Sequence, residues 1–208
     1  MQDWTDLRYL LHGNQWQRRA YSLLHALDLW TLLAGFNPLL AGTIPLNIDI
    51  PGSDLDVLCE VTPAETPRFS ELLRTHYGHR PGFQLRQQTI GAQASIIGSF
   101  RYRGREVEVF GQAVPTAQQN GFRHLLIEAA VLEAGGEAWR RAVRRLKKQG
   151  LKTEPAFARL LQLPGNPYEA LLTLEGKSEA EIRGLIRQVQ PRRPARGCPR
   201  LPSAEFRP

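Results

Sequence analysis

Apolar residues recur at helical spacing near the start of the chain and over most of its second half, and at strand spacing in between. In NQWQRRAYSLLHALDLW, Ala20, Leu23, Leu24 and Leu27 form one stripe behind Asn14, a capping residue; DWTDLRYLL ahead of it also reads as helical. LLAGTI and DLDVLCE have strand length, and in the second Leu55, Val57 and Cys59 alternate with Asp54, Asp56 and Leu58. TPAETPRFSELLRTHYG places Phe69, Leu72 and Leu73 at helical spacing between a Thr62-Pro63-Glu65 start and a Gly78 stop. FQLRQQTI, QASIIGSFRY and REVEVFG then read as three strands, the last two joined by a turn at Arg103-Gly104. Past Pro115 the periodic segments TAQQNGFRHLLIEAAVLEAG, EAWRRAVRRLKKQG, EPAFARLLQL, PYEALLTL and SEAEIRGLIRQVQ are all helical.

This order predicts an α+β fold. Residues 1–114 form a mixed β-sheet core with N-terminal helices, and residues 115–190 form a helical region packed on that core. The helices of the front are expected on one side of the sheet, with the carboxylate edge exposed and the helical back walling a cleft. Residues 191–208, rich in proline and arginine and without periodicity, are expected to be a flexible basic tail. No internal repeat is evident.

Composition narrows the setting. With 208 residues and 42% hydrophobic content, the chain needs no metal or disulfide merely to fold. Cys59 and Cys198 have no metal-ligand spacing, which fits a reducing cytoplasm. Met1 is followed by QDWTDLRYLL, without a basic leader, and no window offers about 18 uninterrupted apolar residues, so neither secretion nor membrane spanning is expected. The net charge of +7 concentrates in RRAVRRLKKQ, residues 140–149, and in the tail. Either block can meet phosphates or simply be solvated.

The chemistry lies in GTIPLNIDIPGSDLDVLCE. Asp54 and Asp56 are two apart, so on a strand they leave the same face, while Leu55 and Val57 face the core. Carboxylates this close repel each other unless a cation or a basic side chain compensates them. Magnesium prefers oxygen ligands and keeps waters, so a third acid and substrate phosphates would complete a site. In REVEVFGQ, Glu106 and Glu108 share one face and are the two candidates for that acid. Upstream, Gly42 allows close backbone approach to a phosphate, and the Thr43 hydroxyl can donate to a phosphate oxygen.

Gly42-Thr43, Ser53-Asp54-Leu55-Asp56-Val57 and a later acid among apolar neighbours resemble the signature of the DNA polymerase beta-like nucleotidyltransferase superfamily. Within it, GTIPLNIDIPGSDLDVLCE, VEVFGQ, QNGFRHLLIEAAVL and LKTEPAFARLLQLPGNPYEALL resemble an uncharacterised bacterial, DUF4269-like family over most of residues 5–175. The resemblance implies a nucleotidyltransferase-like fold and magnesium-dependent transfer of a nucleoside monophosphate from an NTP, with manganese able to substitute. The acceptor is an unidentified hydroxyl or phosphate on RNA, a small molecule or a protein. Carried over to this chain, it implies Asp54, Asp56 and Glu108 as metal ligands and catalytic residues, with Gly42, Thr43 and Ser53 around the phosphates. Val107 and Val109 flank Glu108 as the motif requires, whereas Glu106 adjoins Arg105. The superfamily pattern places a helix directly after the glycine pair; here Pro45 and Pro51 interrupt that stretch, which reads as a long loop over the site. The competing reading is a noncatalytic nucleotide- or RNA-binding protein, or an antitoxin-like partner, on the same fold.

Outside the motif, His124 and Glu128 stand four apart on one helical face, as an acid/base or cation pair or as an ordinary hydrogen-bonded one. Asn120 and Arg123 in the same helix are positioned for a base or phosphate if that helix borders the cleft. Arg140, Arg144, Lys147 and Lys148 form either a solvated helix end or a cradle for triphosphate. Tyr168 reads as packing, with stacking on a base as its other role.

Overall fold

A computed structural model describes residues 2–90 and 92–189. The tail 191–208, with Cys198, lies outside the described residues. Among the described residues no helix is long and apolar enough to cross a membrane.

The sheet holds five strands: β1 (Leu39–Ala41), β2 (Leu55–Glu60), β3 (Gln84–Ile90), β4 (Gln93–Tyr102) and β5 (Arg105–Gln112). Their order across the sheet is β1-β2-β5-β4-β3; β2 and β5 are parallel and the other pairs antiparallel. Arg103 and Gly104 both adopt positive φ, 47° and 76°, as a two-residue hairpin turn between β4 and β5 demands. The parallel β2/β5 pair needs a crossover connection, and residues 61–104 supply it with a helix and the β3–β4 hairpin.

One face of the sheet presents Leu40, Leu55, Val57, Cys59, Ile96, Phe100, Val107 and Val109. It is covered by α1 (Gln15–Ala26) and α3 (Thr66–Tyr77); the short α2 (Leu29–Leu32) lies between them in the chain. Asn14 and Gln17 form a reciprocal capping box at the start of α1. Ala20, Leu23, Leu24 and Leu27 are all buried, as their spacing demands. Tyr77 stacks on Phe100 with ring centroids 4.6 Å apart and donates its hydroxyl to the Leu27 carbonyl at 2.8 Å, fastening both helices to the sheet.

The helices of the front lie on that one side, as expected, and the helical back covers the other face. There Leu39, Ala41 and Leu58 are buried against α4 (Asn120–Lys148), α5 (Thr153–Leu161), α6 (Pro167–Leu172) and α7 (Glu179–Val189). Leu58 stands on the outward side of the β2 alternation, and its burial is what a sheet covered on both faces requires. α4 is the two sequence-predicted helices run together: Gly136, with φ 64° and ψ −159°, breaks the helical path without ending the run. Its first turn begins at Asn120, after a short 3-10 turn at Thr116–Gln118, four residues later than the sequence suggests.

Residues 43–51 form no helix, as Pro45 and Pro51 imply, and 43–47 make turns packed on the core. Ile44, Leu46 and Ile48 are buried, and Gln17 donates to the carbonyls of Ile44 and Pro45 at 3.1 and 2.8 Å. Asn47, at φ 55°, receives Arg144 at its carbonyl and, at 2.6 Å, at its side-chain oxygen. Arg144→Ala is therefore expected to cost on the order of 2 kcal/mol, the scale of charge-assisted hydrogen bonds to a part-buried turn, read as a lowered urea midpoint.

Candidate active site

β1 ends at Ala41, which pairs with Asp56 of β2. Gly42 follows at φ 75°, and a Cβ there would stand 2.0 Å from Asp56 Oδ2. The Gly42 backbone therefore lies against the Asp56 carboxylate, at a position where only glycine fits. Asp56 is itself aligned with Glu108 in the parallel β2/β5 register, while Leu55/Val107 and Val57/Val109 turn to the opposite core. Asp54 is exposed at the approach to β2. Strand alternation thus gathers Asp54, Asp56 and Glu108 on one face.

That face opens into a cavity of about 840 Å³, within the size range of ligand clefts. Gly42, Thr43, Asp54, Asp56 and Glu108 line its sheet side. Glu106 is exposed, lies opposite Arg101 in the β4/β5 pairing and does not line the cavity. Ser53 lines the rim with its hydrogen bonds spent locally: Oγ accepts from the Ile50 amide at 3.0 Å, and its carbonyl accepts from Arg105 at 3.0 Å.

Arg123 is not brought to this cavity. It forks onto Glu175 at 2.9 and 3.1 Å and donates to Asn120 Oδ1 at 2.9 Å. Gly121, His124, Leu125 and Glu128 make the cavity-facing stripe of α4, and Arg123 stands about 100° round the helix from His124. Of the basic block, only Lys147 reaches the cavity; Arg144 is committed to Asn47 and Lys148 is exposed.

Several lining residues escaped the sequence reading of the site. Arg86 of β3 donates to Glu108 Oε2 at 3.0 Å, across a sheet order that sequence alone does not reveal. Glu154 and Lys152, at the start of α5, also line the cavity. His124 Nε2 lies 3.0 Å from the Tyr168 carbonyl, which can only accept, so this nitrogen carries the proton. His124 Nδ1 is 3.6 Å from Glu154.

The electrostatics follow from crowding acids in a partly enclosed space. Burial pushes the Asp56 carboxyl up to about 7, with Asp54 and Glu108 adding repulsion and Lys147 opposing it. Burial also raises Glu108, which Arg86 partly offsets, and raises Glu128 well above the usual carboxylate range. Lys147 is lowered by its own burial against the pull of Glu128, Asp49, Asp56 and Asp54.

Among the described residues no group of three His, Cys, Asp or Glu side chains forms a ready-made metal cage. Asp54, Asp56 and Glu108 nonetheless offer carboxylate oxygens beside open space, with the Thr43 hydroxyl on the same wall. That set suits a hard divalent cation completing its shell with waters and phosphate.

The family model DUF4269, described as a domain of unknown function, matches residues 22–174. The chain belongs to the DUF4269 family. No curated protein matches this DUF4269 chain. Among solved structures it is similar to the Cid1 poly(U) polymerase bound to MgGTP, at 10% identity and a TM-score of 0.48, over 81% of this chain and 54% of that one. It is also similar to the polymerase core of TRAMP, at 11% identity and a TM-score of 0.48, over 85% and 58%. The GLD-2/RNP-8 complex matches at 10% identity and a TM-score of 0.45, over 100% and 74%. The DUF4269 chain thus spans little more than half the length of the first two.

Proposed function

We propose that this protein transfers a nucleoside monophosphate from an NTP to a hydroxyl or phosphate of an acceptor, with magnesium as its cofactor. The observation that carries the reading is the β2/β5 register, which sets Asp56 opposite Glu108 on the cavity face with Gly42 against the Asp56 carboxylate. The Gly42-Thr43 and Ser53–Val57 motifs and their likeness to the nucleotidyltransferase signature support it.

Asp54, Asp56 and Glu108 would hold the cation. Magnesium bound there supplies charge neutralisation on the phosphates and a lowered pKa for the attacking hydroxyl. Gly42 offers backbone at close approach to phosphate, and Thr43, 8% exposed at the cavity wall, offers a hydroxyl donor. Lys147 and Arg86 line the same cavity and would supply positive charge toward bound phosphates. For a hydroxyl acceptor, its oxygen bonds to the α-phosphorus, the bond from that phosphorus to the pyrophosphate oxygen breaks, and the hydroxyl proton leaves to water in the open cavity.

Glu108→Gln is expected to slow pyrophosphate release at least 100-fold, and Glu106→Gln less than threefold, in an assay supplying magnesium, each NTP and a mixed acceptor pool. Equal effects would remove Glu108 from the site. One observation favours the second reading, a nucleotide-binding protein without turnover: Arg86 already occupies Glu108. NTP affinity with no pyrophosphate release from any NTP would favour it.

A further inference from the structure

The helical wall of the cavity has hydrogen-bond acceptors that the protein leaves unanswered. Glu128, only 3% exposed, lines the cavity and makes no hydrogen bond or ion pair with any described residue. Gln119, 2% exposed, donates its amide to the carbonyls of Cys59 and Val114 at 2.8 and 2.9 Å, which fixes the group and leaves Oε1 buried without a donor. Glu154 is held in the same wall beside His124 Nδ1. Native interiors rarely leave groups such as Glu128 and Gln119 Oε1 unpaired, so these two ask for a partner from outside the chain.

The available cations do not answer them. Lys147 is shared in its field among Glu128, Asp49, Asp54 and Asp56, and Lys152 is exposed. Nor does the wall offer the basic track that a polynucleotide backbone would require: Glu128 and Glu154 stand in it beside Lys147 and Lys152.

We infer that this wall, formed by Gln119, Glu128 and Glu154, is a subsite for a compact molecule carrying an ammonium group beside hydroxyls, and that such a molecule is the acceptor. The ammonium takes the Glu128 and Glu154 carboxylates, a further donor takes Gln119 Oε1, and a hydroxyl is left toward the sheet wall. The binding claim stands on the wall alone; the acceptor claim rests on the nucleotidyl-transfer reading.

The test pairs glucosamine with glucose, which differ in the one amine, and adds a short single-stranded RNA. Binding to the intact protein is followed by calorimetry without NTP, and transfer by pyrophosphate release with NTP and magnesium. The expected result is glucosamine binding at least tenfold tighter than glucose, lost at least tenfold in Glu128→Gln and in Glu154→Gln. The two variants guard against misfolding of either one. Equal binding of the two sugars, no binding of either, or glucosamine binding indifferent to both substitutions overturns the subsite. Pyrophosphate release with RNA but not with glucosamine overturns the acceptor claim and leaves nucleotidyl transfer standing. Glucosamine binding without pyrophosphate release under any condition keeps the subsite and removes the transfer reading.

Discussion

Asp56→Asn is expected to raise the stability of the ligand-free protein at pH 8 by on the order of 4 kcal/mol while abolishing transfer, since each pKa unit is worth about 1.4 kcal/mol. The carboxyl moves from 3.8 to about 7 on folding, so between those values the folded state binds the proton that the unfolded state has lost. Stability therefore falls as pH rises through that window. Below about pH 4 both states are protonated and no penalty exists; above pH 7 both are ionised and the penalty is complete. Asparagine keeps the shape and removes the charge, so the gap between variant and wild type should open from pH 4 to pH 7 and then level off. Urea midpoints across that range measure it. A constant gap would mean that Asp56 is not the group ionising at a cost. Added magnesium with NTP should stabilise wild type at pH 8 and leave Asp56→Asn nearly unmoved, because ligand that binds only the folded state shifts its stability.

Gly42→Ala is expected to cost about 2 kcal/mol or more and to remove activity even where the protein still folds. Two effects combine at this position. The backbone at φ 75° disfavours any side chain, and the added methyl would stand 2.0 Å from Asp56 Oδ2, so the carboxylate must shift. Gly104→Ala separates the two, since Gly104 has a similar φ of 76° with nothing within 4 Å of the added atom. It should lose only the backbone share, about 1 kcal/mol, and retain transfer. Equal stability and activity losses in the two variants would show that the Gly42 contact with Asp56 carries nothing.

Much of this architecture was legible from periodicity. The Leu55/Val57 and Val107/Val109 alternations assign Asp54, Asp56 and Glu108 to the opposite side of their strands, which is a local property of an extended chain. That the two strands are parallel neighbours with Asp56 opposite Glu108 is a long-range fact, and only the sheet order supplies it. The same limit explains Arg86, whose place in FQLRQQTI carries no mark of its partner two strands away. Arg123 failed for an angular reason, lying about 100° from the cavity stripe of α4. At residues 43–51 the prolines mark the interruption of helix, while the burial of Ile44, Leu46 and Ile48, which packs it on the core, is a tertiary property that spacing does not carry. Leu58 likewise shows that an apolar residue on an outward strand position reports a second covering layer.

Pyrophosphate release from each of the four NTPs with magnesium, offered RNA and a small-molecule pool including amines, tests the central claim most directly when wild type is compared with Asp54→Asn/Asp56→Asn. Nucleotidyl transfer at this site predicts release by wild type from at least one NTP, reduced at least 1000-fold in the folded double variant. Release that survives both substitutions, or its absence in wild type under every condition while NTP still binds, would contradict it.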